Sequence, residues 1–317
     1  MTSANTVHSG RTEIPENLSE FYRSCEQELE QGLRTLPDKP EENVATTFAA
    51  LWHAAHGTPL GAKRAGEASL PELDESAITR LRDLIRRRIE GTPLAHLTGR
   101  QEFMGIELIA SAEALIPREE TALLGHAALA CLEDILQAQE SAIVIDVCTG
   151  SGNLALALAA NAPRARVWAA DLSTDAIALG RRNCEFLKLG DRVEFRDGDL
   201  MAPFDADQFH GTVDLIVCNP PYISSGKLEG MPDEIIAHEP RLAFDGGPLG
   251  IRILQRLISE APRFLKPMGW LAFEVGLGQG RGVRRRMEQQ CQYIEIREVL
   301  DGDGQVRALL GRSAGGP

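Results

Sequence analysis

The sequence predicts an α/β protein, a mostly parallel sheet covered by helices, closed by an antiparallel hairpin and preceded by a small helical domain. Three observations carry this prediction. From residue 142 onward, short apolar strands alternate with helical stretches, which is the pattern of a parallel sheet. The glycine turn Asp146-Val147-Cys148-Thr149-Gly150-Ser151-Gly152-Asn153 joins the first of these strands to its helix. The apolar run Val213-Asp214-Leu215-Ile216-Val217-Cys218 leads directly into Asn219-Pro220-Pro221-Tyr222, at a strand end of the kind where open α/β sheets bind ligands.

Taken in order, residues 1–17 are polar, lack the apolar core of a secretory signal and are expected to be disordered. Residues 18–91 read as a helical substrate-recognition domain. Leu18, Phe21, Leu29 and Leu33 recur at roughly helical spacing, 44–56 is a second apolar helix, and 77–90 is a third. Leu81, Leu84, Ile85 and Ile89 share one face of that third helix, and Asp74 or Ser76 is its expected cap. Residues 92–116 read as a hairpin linker, with strand signals at 102–103 and 106–109. Residues 117–317 form the second domain. Its first helix opens near Leu115-Ile116-Pro117-Arg118-Glu119-Glu120-Thr121 and runs to about residue 137. Its early carboxylates suit the positive end of the helix dipole. Strands follow at 142–147, 166–170, 193–196, 213–218 and 270–275, and helices at 153–160, 174–187, 251–264 and 280–290. The last two strands, 294–299 and 306–310, flank Asp301-Gly302-Asp303-Gly304 as a closing hairpin.

Composition narrows the function. With 43% hydrophobic and 25% charged residues, the chain is that of a soluble globular protein large enough for a proper core. A net charge of −13 argues against broad, sequence-independent nucleic-acid binding. The basic groups Arg80, Arg82, Arg86, Arg87 and Arg88, and Arg281, Arg284, Arg285 and Arg286, fall in helical stretches and read as solvated helix faces. Six scattered cysteines form no C-x-x-C pair or Cys/His cluster, so no metal site is expected and a reducing cytoplasm is the expected setting. No apolar run is long enough to span a membrane.

The glycine turn is a cofactor loop in this reading. Glycines let a cofactor approach the backbone closely, and an acid about 20 residues further on, here Asp171, can bind ribose hydroxyls. Gly150-x-Gly152-x-x-Ala155 suits a nicotinamide dinucleotide and S-adenosylmethionine (SAM) alike. Three features favour SAM. Asp146 precedes the turn, where it can orient the loop. Asp197-Gly198-Asp199-Leu200 follows the third strand, where an adenine edge would lie. Asn219-Pro220-Pro221-Tyr222 follows the fourth, beside the sulfonium methyl in that geometry. The expected cofactor residues are Asp146, Cys148, Thr149, Gly150, Ser151, Gly152, Asp171, Asp199, Leu200 and Asn219. The expected catalytic residues are Asn219, Pro220, Pro221 and Tyr222. Two prolines stiffen that tetrapeptide, and Pro220 keeps Asn219 out of the helical region. The loop then offers an amide, a backbone carbonyl and an aromatic face to a planar nitrogen substrate.

With these motifs in place, the chain from about residue 93 onward resembles the protein-glutamine N5 (HemK) family of class I SAM-dependent methyltransferases. The resemblance rests on Pro93-Leu94-Ala95-His96-Leu97-Thr98-Gly99, Glu102-Phe103-Met104-Gly105, Ile116-Pro117-Arg118 with Glu120-Thr121, the glycine turn and Asn219-Pro220-Pro221-Tyr222. It extends to Glu239-Pro240-Arg241-Leu242-Ala243, Gly246, Gly247 and Gly250, Glu274-Val275-Gly276 with Gln279, and Asp301, Gly304 and Arg307. It implies a Rossmann-like sheet, SAM as methyl donor, and a glutamine side chain of a release factor or a ribosomal protein as acceptor. Arg118 and Glu239 are then expected to order loops over the site or to form a structural ion pair.

The chain departs from the family pattern in places. Glu119 stands where the family usually has proline, Ala122 where an acid usually follows the threonine, and Leu200 where an aromatic residue is frequent. Cys148-Thr149 is similar to the ribosomal-protein branch, and Glu120-Thr121 with the Glu102-Phe103 segment to the release-factor branch. N-methylation of a small molecule or peptide, adenine-N6 methylation and a non-catalytic adaptor are the competing expectations.

Overall fold

The structure, a computed structural model, describes residues 16–34, 39–230 and 238–315. It divides into two compact units, residues 1–98 and 99–317. The expectation of disorder for residues 1–15 lies outside the described residues. Glu16 and Asn17 already belong to the first helix.

The first unit is helical: α1 (Glu16–Gly32), α2 (Val44–His56), α3 (Ala62–Glu67), α4 (Glu75–Ile89) and α5 (Leu94–Thr98). Helix α2 starts where the Asn43 side chain accepts the Thr46 N–H, and it ends at Gly57, whose φ of 95° suits glycine. Asp74 caps α4 by accepting the Ala77 N–H at 2.7 Å, and Ser76 donates to Asp74. Phe48, Leu51, Trp52, Leu81 and Ile85 fill the core of this unit. Arg88 differs from the solvated face expected of it. It is buried and pairs with Glu42 at 3.2 Å, because it sits on the inner side of α4 in the last turn. Helices α3 and α5, at six and five residues, are too short to show a period in sequence.

The second unit opens with an antiparallel hairpin, β1 (Arg100–Phe103) and β2 (Ile106–Ile109). It continues as α6 (Glu119–Ala138), β3 (Ala142–Val147), α7 (Asn153–Asn161), β4 (Ala165–Asp171), α8 (Thr174–Phe186), β5 (Val193–Asp197) and β6 (Val213–Cys218). Then come α9 (Arg252–Glu260), β7 (Leu265–Glu274), α10 (Gly280–Gln290), β8 (Tyr293–Leu300) and β9 (Val306–Ser313). The seven-stranded sheet has the order β5-β4-β3-β6-β7-β9-β8. Strands β3 to β7 pair in parallel, and β9 runs antiparallel to both β7 and β8.

Alternate residues of β3 serve opposite faces. Ala142 and Val144 join one core layer, and Ile145 and Val147 the other. Strand β7 begins five residues before its sequence signal. Leu265 pairs with Val213, and an irregularity in the β6–β7 register absorbs the Pro267–Gly269 segment before Leu215 meets Trp270. Helix α9 stops at Glu260, and Pro262 sits in a 3-10 turn behind it. Strand order reverses at β3, which has β4 on one side and β6 on the other, so the binding crevice opens at the carboxyl ends of these strands.

Candidate active site

A cleft lies at those strand ends, walled by the turns that follow β3, β4, β5 and β6, where open α/β sheets bind their ligands. Cys148, Thr149 and Gly150, from the turn after β3, line it. Asp146 closes this turn from behind. Its Oδ2 accepts the Thr149 hydroxyl at 2.5 Å and the Ala155 N–H at 3.1 Å, which ties the loop to the first turn of α7. Burial raises the Asp146 pKa to about 7, and its Oδ1 is buried without a protein partner. Gly150 (φ 56°) and Gly152 (φ 82°) take left-handed backbone conformations. A Cβ on Gly152 would lie 2.8 Å from the Phe195 ring, whereas a Cβ on Gly150 would meet nothing within 4 Å. Gly150 therefore presents bare backbone to the cleft. Asp146, Ser151 and Gly152 lie behind the cleft wall, where they shape the loop.

Asp171, at the end of β4, lines the cleft and accepts the Gly150 and Ser173 N–H groups, each at 2.9 Å. Burial raises its pKa, backbone N–H groups of Ser173, Gly150 and Leu172 oppose that rise, and the carboxylate keeps acceptor capacity for a ligand hydroxyl. Leu172, 59% exposed and next in sequence, offers an apolar surface on the same wall. The sequence reading did not single it out, although an apolar residue directly after the strand-end acid is a usable signal. Asp199 and Leu200 also line the cleft, but the Asp199 carboxylate is held by Arg256 of α9 at 2.8 and 3.0 Å. The bare Gly150 backbone, the Asp171 carboxylate and the Leu172 surface fit SAM.

Asn219 and Pro221 line the cleft after β6, beside Thr121 of α6. The Asn219 Nδ2 donates to Thr121 Oγ1 at 3.0 Å. The Thr121 hydroxyl in turn donates to Glu274 Oε2 at 2.7 Å, and the Tyr222 hydroxyl donates to Glu274 Oε1 at 2.8 Å. Glu274 is 1% exposed, and burial raises its pKa to about 7. Burial and Glu274 together push the Tyr222 phenol pKa up. Pro220 is buried between Asn219 and Pro221, the two residues of the tetrapeptide that line the cleft, and Tyr222 does not line it. The Tyr222 ring packs on Gly276, where a Cβ would come within 2.9 Å of it, and its carbonyl accepts Gln279 Nε2 at 3.0 Å. Gly250 (φ 70°) passes so close that a Cβ would lie 2.2 Å from the Tyr222 carbonyl oxygen.

Arg118 and Glu239 form an ion pair, and Glu239 also accepts the Ile116 N–H at 2.9 Å. This pair ties the Pro117 and Pro240 segments of the wall together. Thr121 and Glu274, 153 residues apart, enter the sequence reading only as family matches, since no local pattern predicts that they meet.

Among the described residues, no cluster of His, Cys, Asp or Glu is placed to hold a metal ion, and no helix is long and apolar enough to cross a membrane.

The Methyltransferase small domain family matches residues 126–257. A release factor glutamine methyltransferase of Moorella thermoacetica is 40% identical over 239 residues, which cover 75% of this chain and 81% of the relative. One of Streptomyces coelicolor is 38% identical over 291 residues, covering 90% and 97%. Among solved structures, the hMettl16 catalytic domain in complex with MAT2A 3'UTR hairpin 6 superposes with a TM-score of 0.53 at 17% identity, over 73% of this chain and 82% of that one. At that identity the likeness concerns the fold alone.

Proposed function

The chain belongs to the release factor glutamine methyltransferase family, and on that premise we propose that it transfers a methyl group from SAM to the side-chain amide nitrogen (N5) of a glutamine in a peptide-chain release factor. The observation that carries this chemistry is the place of Asn219, which lines the cleft after β6 with its nitrogen engaged by Thr121 and its oxygen left to accept. SAM, when bound, supplies a methyl carbon on a positively charged sulfur.

The protein's own task is to make a poor nucleophile react. An amide nitrogen delocalises its lone pair into the carbonyl. In this reading Asn219 Oδ1 accepts one N–H of the glutamine amide and the Pro220 carbonyl accepts the other. Two acceptors placed for a pyramidal nitrogen bind the transition state better than the planar ground state. Holding that nitrogen in line with the methyl contributes on the order of 7–11 kcal/mol. Thr149, Gly150, Asp171 and Leu172 hold the cofactor, while Asp146 braces the loop that carries the first two. The Tyr222 hydroxyl braces Glu274, so its role is to fix the tetrapeptide from behind. No base is required before transfer, because the methylated nitrogen is cationic and loses its proton to solvent.

The helical unit is assigned to docking the protein substrate, in the cytoplasm where translation takes place. Adenine methylation is disfavoured by the net charge of −13. The test is to incubate the protein with labelled SAM and separate samples of a release factor, a ribosomal protein, metabolites and adenine-containing DNA. Label in the release factor supports the proposal. Label confined to any other acceptor overturns it.

A further inference from the structure

We propose that Thr121 and Glu274 fix which end of the Asn219 carboxamide faces the acceptor, which makes Glu274 a positioning residue for methyl transfer although it lies outside the cleft wall. This inference rests on the functional reading above. A carboxylate only accepts hydrogen bonds, and a hydroxyl has one proton to give. Glu274 Oε2 takes the Thr121 proton at 2.7 Å, and Oε1 takes the Tyr222 proton at 2.8 Å. The Thr121 oxygen is then left purely as an acceptor toward Asn219, 3.0 Å away. Only the NH2 end of the carboxamide satisfies it, so Oδ1 is presented to the acceptor amide. With the carboxamide turned round, two NH2 groups would face each other and the acceptor would lose its partner.

The polarity originates in one buried charge. Glu274 closes β7, opposite Ala308 of β9. The titratable groups that face it are Tyr222 from the loop after β6, Glu120 from the start of α6 and Arg307 from β9. Arg307 pairs with Glu120 at 3.1 Å. Arg307 favours the ionised carboxylate, while burial and Glu120 oppose it. A protonated Glu274 would donate to one of its hydroxyls. If it donates to Thr121, that hydroxyl is freed to donate to Asn219, and the whole chain of bonds reverses. Glu274→Gln presents one donor and one acceptor to these two hydroxyls and no longer titrates, so it cannot take both protons as the carboxylate does.

The test compares the wild type with Glu274→Gln, Thr121→Val and Thr121→Ser. It measures kcat and KM for a release factor, Kd for SAM by calorimetry, and the pH profile of kcat. Glu274→Gln and Thr121→Val are expected to lose about 10²-fold in kcat, the loss typical when one preorganised polar partner is removed. Their Kd for SAM should stay near that of the wild type. Thr121→Ser keeps the hydroxyl and should retain most of the rate that Thr121→Val loses. The wild-type kcat should fall as pH drops through about 7, and Glu274→Gln should lack that inflection. A Glu274→Gln enzyme with wild-type kcat and pH profile overturns the inference. If that variant does not fold, equal rates for Thr121→Val and Thr121→Ser overturn it instead. No transfer by the wild type to any release factor overturns the functional reading itself, so the two failures are distinct.

Discussion

Replacing Asn219 by alanine isolates the chemistry of the tetrapeptide from its structure. The substitution removes the carboxamide that lines the cleft and the 3.0 Å bond to Thr121, and it leaves Pro220, Pro221 and the β6 backbone in place. An acceptor N–H left without its partner costs about 1–3 kcal/mol, or up to about 10²-fold in rate at 1.36 kcal/mol per decade. The acceptor also loses its alignment, and a misplacement of about 1 Å is worth roughly another 10²-fold. Asn219→Ala is therefore expected to lower kcat/KM for a release factor by about 10³–10⁴-fold. The cofactor loop is held by Asp146 and Asp171, neither of which bonds to Asn219. The Kd for SAM should accordingly change by less than about tenfold, by this separation of contacts. Steady-state methylation and calorimetry measure the two quantities. Wild-type turnover would refute the acceptor role. A loss of SAM affinity as large as the loss of rate would reassign Asn219 to the cofactor alone.

Two further predictions concern the frame around the site. Gly250→Ala puts a Cβ 2.2 Å from the Tyr222 carbonyl at a backbone φ of 70°, so the tetrapeptide must shift. Stability should fall by about 1–3 kcal/mol in denaturant titrations, and kcat should fall more than SAM affinity; unchanged kcat would disprove this coupling. Glu274 has its pKa raised from 4.5 to about 7 in the folded state, so between those values the folded protein holds the proton that the unfolded chain has released. Its contribution therefore destabilises progressively as pH rises from 4.5 to 7 and levels off above, at on the order of 3 kcal/mol. The stability of Glu274→Gln relative to wild type should improve by about that amount between pH 4.5 and 8, and a difference independent of pH would contradict the assignment.

How much of this was legible in the sequence depends on the range of the physics involved. Helix α2 and strands β3 and β6 were located to the residue, because caps, periodicity and uninterrupted apolar runs are local signals. The start of β7 was not, since Lys266-Pro267-Met268-Gly269 reads as a loop and becomes strand only by pairing with β6 and β9. Arg88 read as a surface charge for a similar reason, because Glu42, its partner, is 46 residues away. In the site, the glycine turn and the tetrapeptide announced themselves by composition. The structure places Asp146 behind the cleft wall and ties the Tyr222 hydroxyl to Glu274, and neither placement is written in local spacing. The Thr121–Glu274 bond joins the start of α6 to the end of β7, so only the assembled sheet brings it about.

Asn219 and the Pro220 carbonyl are proposed to bind the two N–H groups of a glutamine side chain. Tandem mass spectrometry of a release factor after incubation with this protein and SAM tests it most directly. One methyl group is expected, on the side-chain amide nitrogen of a single glutamine, and none when that glutamine is replaced by glutamate. A methyl on a carboxylate, a backbone position or any residue other than glutamine would contradict it.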